Sequence, residues 1–504
     1  MQQTIIDLFQ QFIFVYSVCM MCVYVFLAIS SFINVDNYAK RNKSYNIRNI
    51  VSSPLAPGIS VIAPAYNEGL SIVSNVEALL SLEYPKFEVI IINDGSTDDT
   101  MDKLIQNFDL VEVNYLYEER IKTKPVNRFL KSRNSAYDKL LIIDKENGKG
   151  KADASNAGIN ASSFDYFLCT DVDCILAQDT LLRLIRPFLG ESSRIRKFIG
   201  RLSGKQLDYA QSPDRQKKVI AVGAPLRMIN SAKVDSSVIV RFRPPVKLLP
   251  RFQELEYIRA YLLSKMGWNG INCVPNVSGG LGLFDKGVAI KVGGYDPRSF
   301  AEDIDMVTRM GLYMIQNNLR YAVRYIPVSL CWTEGPETLK VFGRQRIRWA
   351  RGLVQIMLIH KNIIFNPRYG RLGLIVFPYN LVFEFLAPVL ETLGMLFYVY
   401  LIAIGAINWH NTFILLGFLY SFSILMSTMA VLWDQYTQRQ YFKTWEVVAL
   451  CFTSLLEPVI YHPLVVFFSL RGYVKSLFKR ELVWGDMQRK GFTDNQGDLS
   501  VTLN

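Results

Sequence analysis

A lipid bilayer sets the first constraint on this chain. Phe12 to Ile33 runs 22 residues without a charge and Phe413 to Trp433 runs 21, and about 20 apolar residues suffice for a helix to cross a hydrocarbon core. Leu372 to Trp409 and Val447 to Leu470 are similarly apolar, broken only by Glu384, Glu391 and Glu457. Asn34 to Arg371 has instead the composition of a water-soluble domain. The expected organisation is an N-terminal anchor (1–36), a soluble domain (50–340), an interfacial stretch (341–371), a C-terminal membrane region (372–474) and a tail (475–504).

The first apolar segment reads as a retained anchor rather than a cleaved signal, because no Lys or Arg precedes it and no small-residue cleavage site follows. Lys40, Arg41, Lys43 and Arg48 come next, and such a cluster marks the cytoplasmic side. The expectation is a multi-pass protein of the inner (plasma) membrane with its large domain in the cytosol. In that reducing compartment the seven cysteines should be free thiols. The net charge of +12 invites a nucleic-acid reading, but the basic residues lie beside the apolar spans or between Arg120 and Lys139. That distribution suits an anionic leaflet, no nucleic-acid motif is recognised, and nucleic acid is not expected as a partner.

The tail raises a question of parity. Lys475, Lys479, Arg480, Arg489 and Lys490 also carry the cytoplasmic signature, so an even number of crossings should follow the soluble domain, whereas three apolar segments do. Pro378 with Pro388, or Pro458 with Pro463, can turn one segment into an interfacial or re-entrant piece. The sequence leaves both open.

Within the soluble part, short β-rich runs alternate with helix-like stretches: Ile59 to Ala65, Phe87 to Asn93, Val113 to Tyr117, Leu140 to Asp144, Tyr166 to Thr170 and Val219 to Val222. The alternation predicts an α/β fold, a mostly parallel sheet with helices on both faces, which binds ligands at the carboxyl ends of its strands. At those ends stand PAYNE (Pro64 to Glu68), NDGSTDDT (Asn93 to Thr100), KENGKGKADASNAG (Lys145 to Gly158) and the pair Asp171 and Asp173. Alone, a D-x-D triplet is expected about once in a chain of ordinary composition, and Asp303 with Asp305 forms another. NDGS alone is a tight turn. Four polar, carboxylate-bearing loops along one sheet edge are a different matter.

The ordered set, continued by SGGLGLF (Ser278 to Phe284), VGGYD (Val292 to Asp296), AED (Ala301 to Asp303), QRIRW (Gln345 to Trp349), NPRYG (Asn366 to Gly370) and WGDMQRKGF (Trp484 to Phe492), resembles the membrane-integrated family 2 glycosyltransferases. That group includes the cellulose, hyaluronan and poly-N-acetylglucosamine synthases, and the chain is most similar to the last, bacterial branch. The resemblance covers nearly the whole chain and implies a glycosyltransferase A-type nucleotide-diphospho-sugar transferase domain. Its departures are one extra residue in the Gly/Lys loop, which leaves Lys149 and Lys151 as alternatives for the phosphate-facing role, Ala301 before Glu302, and a long Arg194 to Lys218 loop.

Two aspartates one residue apart at a strand end project to the same face, and hard oxygen ligands suit Mg²⁺ or Mn²⁺ bridging phosphates. The resemblance makes Asp173 the direct metal ligand, sets Asp171 at the nucleoside and metal, Asp94 at the uracil, and Glu68, Lys151 and Asp153 also on the substrate. Histidine is set aside as the base, because His360 lies beyond QRIRW and His410 and His462 are in or beside membrane segments. A carboxylate must then take the acceptor proton, and Glu302, Asp303 and Asp305 are the candidates. Asp303 and Asp305 would point to different sides of a helix, and the alternative role for all three is to stabilise a helix N-terminus. The family pattern selects Asp303, with Glu302 beside it.

GRQRIRWARG reads by itself as a basic amphipathic helix on the membrane surface. It also brings Gln345, Arg348 and Trp349 onto one face, where Arg can fork onto diphosphate oxygens; in the resembling enzymes the Trp lies beside the acceptor terminus. FQELEYIRAYLL (Phe252 to Leu263) reads as core. Glu384, Glu391 and Glu457 in apolar surroundings need partners or water, as lining of a polar path or at the interface. The resemblance implies an inverting, processive polysaccharide synthase using a UDP-sugar, UDP-N-acetylglucosamine foremost, with a growing glycan as acceptor, the bilayer as surroundings and export proteins as partners. A non-processive transferase acting on a lipid-linked acceptor and a silent nucleotide-binding component of an export complex are the alternatives.

Overall fold

The computed structural model describes residues 2–43, 53, 55–191, 217–235 and 238–478. Arg48, most of the Arg194 to Lys218 loop, and the tail from Lys479 with its WGDMQRKGF stretch lie outside the described residues.

The strands are β1 (Ile59–Ala65), β2 (Phe87–Asp94), β3 (Leu110–Val113), β4 (Val126–Ser132), β5 (Leu140–Lys145), β6 (Tyr166–Thr170), β7 (Ile175–Leu176), β8 (Lys218–Gly223), β9 (Leu226–Met228), β10 (Lys233–Asp235), β11 (Val238–Arg241), β12 (Leu281–Asp285), β13 (Tyr321–Tyr325) and β14 (Cys331–Thr333). Nine form one sheet in the order β13-β8-β12-β6-β1-β2-β5-β4-β3. β6, β1, β2 and β5 at its centre run parallel. Their sequences are continuous apolar runs because both faces are covered; Val61, Ile62, Ile90, Ile91, Ile142 and Leu168 are fully buried.

The helices are α1 (Gln2–Lys43), α2 (Ile72–Leu80), α3 (Thr100–Phe108), α4 (Lys151–Ala161), α5 (Thr180–Glu191), α6 (Leu248–Ile258), α7 (Met266–Gly270), α8 (Lys286–Lys291), α9 (Glu302–Gln316), α10 (Leu339–Ile359), α11 (Ala387–Ala403), α12 (Trp409–Gln438), α13 (Thr444–Leu456) and α14 (His462–Leu477).

Two expectations change. The sheet is mixed, since β12 lies antiparallel between β6 and β8, and β3 and β4 add an antiparallel edge. The strand expected at Val113 to Tyr117 is instead Leu110–Val113, which starts directly after Asp109 turns the chain out of α3 with φ +46°. Tyr115 and Tyr117 pack from an extended loop onto Phe129 of β4, at 5.2 and 5.3 Å between ring centroids. Their aromatic alternation mimics a strand without the backbone pairing. All seven cysteines are free thiols, including Cys19 and Cys22, which share a CxxC spacing on α1.

Four helical runs are long and apolar enough to cross a membrane: Ile6–Lys40, Leu372–Ala403, Trp409–Gln438 and Thr444–Leu477. Their prolines do not break them. Pro458 falls within a π-helical turn (Glu457–Tyr461), and π turns at Leu372–Val376 and Asn380–Phe385 flank Pro378, re-pairing the backbone that proline would otherwise strand. The soluble domain is joined to these helices by buried polar contacts. Arg227 of β9 donates to Ser329 (2.9 Å), Glu254 of α6 (3.1 Å) and Asp434 of α12, while Tyr441 also donates to Glu254 (2.8 Å). α1 lies so close to α7 that a Cβ on Gly267 would stand 2.5 Å from the Leu27 carbonyl oxygen.

FQELEYIRAYLL is core, as expected from its spacing. Phe252, Leu255, Ile258 and Leu262 are buried, while Glu254 and Glu256 face outward from that stripe into ion pairs with Arg227 and Arg346.

Candidate active site

The loops after β1 and β2 are laced together. Asn67, held at φ +55°, accepts from the Thr97 backbone N–H (2.8 Å), and the Glu68 and Gly69 N–H groups donate to Thr100 (2.9 Å) and Asp98 (3.0 Å). Gly95 is required at its turn, with φ +67° and the Asn147 backbone nitrogen 2.8 Å from where a Cβ would stand. Glu68 is thereby carried to the same edge as Asp94.

Asp94 and Asp153, predicted on the substrate, are both nearly inaccessible and converge on a residue that motif reading passed over. Lys145, the last residue of β5, is fully buried and lies 2.8 Å from Asp94 and 2.6 Å from Asp153. Asp94 also accepts from the Gly148 N–H (3.0 Å) and Asp153 from that of Lys124 (3.2 Å). Burial pushes the Asp94 carboxyl above its ordinary range against the pull of Lys145. The signal was present in sequence, a lysine directly ending an apolar strand, but nothing local says that its ammonium turns inward.

Lys149 and Lys151 lie in different surroundings. Lys149 is exposed with φ +61°. Lys151, the first residue of α4, donates to Asp171 (2.5 Å) and to the Gly279 carbonyl (2.5 Å), and neighbouring carboxylates hold its ammonium above the ordinary lysine range despite burial. Asp171, Asp173 and Cys174 each bring a ligand atom within 4.8 Å of the others. The Cys331 side chain and burial keep the Cys174 thiol protonated, so the donors offered to a cation are the carboxylates. That oxygen set fits Mg²⁺ or Mn²⁺.

Gly279, in the SGG turn, joins this half of the site to the other. Its carbonyl accepts from Lys151 while its N–H donates to Asp303 Oδ2 (3.1 Å), which also lies 3.5 Å from Asn276 Nδ2. Glu302 and Asp303 open α9. Burial first, then the Asp303 charge, raise the Glu302 carboxyl to about 7, with Arg348 and Lys151 pulling the other way. Arg348 therefore belongs to this cluster.

Asp303 and Asp305 do face different sides, and this removes Asp305 as a base. Both its oxygens are engaged, by Arg309 (2.7 Å) and His360 (3.0 Å). Burial works against its charge, but those two partners hold its carboxyl below the ordinary range. Gln345 accepts from Gln253 of α6 (3.2 Å). Trp349 is stacked on Arg346, whose guanidinium lies 4.6 Å from its ring centroid. Arg346, missed in the sequence, is clamped by Glu256 and donates to Tyr461 (2.6 Å). Thus Lys151, Asp171, Glu302, Asp303 and Arg348 form one constellation. Asp94 and Asp153 form a second around Lys145, and Gln345 and Trp349 are set by contacts of their own.

Comparison with known proteins gives matches over both parts of the chain that carry these residues. The Glycosyl transferase family 2 model matches residues 60–195 and the Glycosyl transferase family group 2 model residues 254–434. Poly-beta-1,6-N-acetyl-D-glucosamine synthases of Staphylococcus aureus and Staphylococcus epidermidis are 27% identical over 301 residues, 60% of this chain and 56% of theirs. The chain thus spans little more than half the length of the curated relatives it matches. Among solved structures, a mannosyltransferase from Pyrobaculum calidifontis is 16% identical over 92% of this chain and 100% of that one, with a TM-score of 0.46. Glucosyl-3-phosphoglycerate synthase from Mycobacterium tuberculosis is 15% identical over 62% and 84%, with a TM-score of 0.33. With one family model on the strand-end loops and the other on the segment carrying Asp303 and Arg348, the chain belongs to the family 2 glycosyltransferases.

Proposed function

We propose that this protein is an inverting, processive glycosyltransferase that moves a sugar from a UDP-sugar, UDP-N-acetylglucosamine foremost, to the end of a growing polysaccharide. The observation that carries the reading is the Gly279 peptide, which ties Lys151 and Asp171 to one side and Asp303 to the other. A diphosphate site and a base are held one peptide unit apart.

Asp173 and Asp171 are the residues to hold a divalent cation, with Asp173 the principal ligand because Lys151 already claims Asp171 Oδ1. A bound Mg²⁺ or Mn²⁺ supplies charge neutralisation for the departing diphosphate. Lys151 and Arg348 add fixed positive charge on the same side. Asp303 takes the proton of the acceptor hydroxyl as its oxygen bonds to the anomeric carbon and the bond from that carbon to the diphosphate oxygen breaks. A single displacement inverts the centre. Glu302 shares the negative field of the pair, and Asp94 with Asp153 shapes the nucleoside side around Lys145. Gln345 and Trp349 are the acceptor-side residues of the proposal.

The same reading places the catalytic domain in the cytosol, beneath membrane helices through which the glycan leaves, with export proteins as further partners. The contacts of Thr444–Leu477 support a parity of two crossings after the domain. This run starts at the domain, beside the Tyr441–Glu254 bond, and climbs antiparallel to α12, with Thr428 3.0 Å from Ser454. At Glu457 it meets Arg259 (2.7 Å) and continues through the π-helical turn Glu457–Tyr461. α14 then packs beside α11 and α10, with His462 against Glu391 (2.8 Å), Tyr473 on the Phe385 carbonyl (3.0 Å) and Gly472 on Ala350 of α10. Its first end lies at the domain and its last turns lie on α10, the stretch read as interfacial, whereas the far end of a crossing helix stands about 30 Å away. These contacts support an interfacial course for this segment, and Glu384, Glu391 and Glu457 are paired with Tyr379, His462 and Arg259.

The test is UDP release by purified protein with a panel of UDP-sugars and Mg²⁺ or Mn²⁺, beside Asp303→Asn. The expected result is metal-dependent turnover with one donor, a product of many sugars, and a loss of at least about 10³-fold in the variant with UDP binding retained. Product carrying a single added sugar would replace the processive reading with transfer to a lipid-linked acceptor.

A further inference from the structure

Resting on the proposed reaction, we infer that His360 and Gln355 are positioning residues that fix the Glu302–Asp303 turn to α10, so that one helix sets the spacing between the base and the Gln345–Arg348–Trp349 face. His360 was set aside as too far along the chain. It caps α10 at the end opposite Gln345, and the contacts between them form a continuous seam with the entry to α9.

Four contacts build the seam. Gly352 lies one turn beyond Arg348 on the same face, and a Cβ there would stand 2.8 Å from the Ala301 Cβ and 3.2 Å from its backbone nitrogen. The two backbones are therefore as close as a glycine and an alanine allow, which accounts for Ala301 before Glu302. Gln355, nearly one turn further, accepts from the Phe300 N–H (2.9 Å) and donates to the Arg298 carbonyl (2.9 Å), pairing in both directions with the turn segment that enters α9. Arg351 lies over the Phe300 ring, 4.7 Å from its centroid. Last, His360 Nε2 meets Asp305 Oδ1 (3.0 Å), and the other oxygen of Asp305 is held by Arg309 (2.7 Å). Arg309 in turn donates to the Gly294 carbonyl (2.7 Å) and to that of Val292. The VGGYD turn, the acidic end of α9 and the C-terminal end of α10 thus meet at one buried carboxylate.

A core would hold α9 against α10 with apolar contacts alone, and Ala301, Ile356 and Met357 supply these. Apolar packing tolerates sliding, whereas two-way amide pairing and a carboxylate shared by His and Arg fix register. Displacement of a reacting group by about 1 Å can cost on the order of 10² in rate. The seam therefore acts on turnover through Asp303 and leaves the donor side, built on β5, β6 and the Gly/Lys loop, untouched.

The experiment compares wild type, His360→Ala, His360→Gln and Gln355→Ala by two readouts on full-length protein in detergent. Hydrogen exchange across residues 298–307 reports the seam itself, and steady-state UDP release with UDP binding reports its effect. Expected are faster exchange in that stretch for both alanine variants, turnover lowered about 10- to 100-fold, donor KM and UDP affinity within about twofold of wild type, and substantial recovery in His360→Gln, whose amide can still donate to Asp305. Unchanged exchange in His360→Ala, or a His360→Gln variant as impaired as His360→Ala, would overturn the inference. A donor affinity that falls in step with turnover would do the same. If wild type turns over no sugar nucleotide, the reaction assigned above fails, while the exchange measurement still decides whether the seam exists.

Discussion

On the function proposed above, the donor half of the site is made of loops and the acceptor half of helix faces, and the two are stabilised by different physics. At the ends of β1, β2, β5 and β6, neighbouring loops tie one another: Asn67 holds Thr97, Asp98 holds Gly69, and Lys145 gathers Asp94 and Asp153. On α6, α9 and α10 residues of the site are steadied one by one from another helix, as Gln253 of α6 steadies Gln345 of α10 and His360 at the end of α10 steadies Asp305 of α9. A loop-built half tolerates little internal change, because its polar groups satisfy one another in a closed set. A helix-built half can shift as a body, and its geometry depends on what clamps the bodies together.

The largest expected effect tests the closed set. Lys145→Met leaves two carboxylates buried at the end of β5 without their cation, and removing one partner of a buried ion pair costs about 3–5 kcal/mol. The expected outcome is a large fall in thermal stability together with lost UDP binding, measured by scanning fluorimetry in detergent with and without UDP. A variant that folds and binds UDP like wild type would show that Lys145 is dispensable to the donor half. Next comes Asp173→Asn, with turnover falling by about 10²–10³-fold, or about 3–4 kcal/mol of barrier, but with little change in melting temperature. Equal loss of stability in the two variants would erase the distinction between a residue that builds the loop set and one that works from it.

This contrast also sets what could be read from sequence. Strands β1, β2, β5, β6 and β8 were legible within a residue or so because central parallel strands are continuous apolar runs, and the loops after them carry motifs whose residues are neighbours in the chain. β3 was misplaced because Tyr115 and Tyr117 alternate like an edge strand while packing on Phe129. Lys145, Arg346 and His360 were not legible, since each is defined by a partner brought up by the fold: Asp94, Glu256 and Asp305 lie 51, 90 and 55 residues away.

The smallest expected effect addresses the helix half by pH. Burial and the Asp303 charge raise the Glu302 carboxyl from 4.5 to about 7, so the folded protein binds this proton more tightly than the unfolded chain. Stability from Glu302 is then fully present below about pH 4.5 and is lost as pH rises toward 7, with no further change above it. A full shift corresponds to about 3 kcal/mol, and partial exposure of the side chain lowers the expectation to about 1–2 kcal/mol. Glu302→Gln keeps the shape and removes the titration, so it should melt higher than wild type at pH 8 and about equally at pH 5. The activity profile should lose an inflection near 7 in the same variant, because the acid beside Asp303 no longer changes charge. A variant that melts lower than wild type at both pH values would mean that Arg348 and Lys151 outweigh burial. Glu302 would then be a paired structural acid, and the helix half would carry its reactive charge on Asp303 alone.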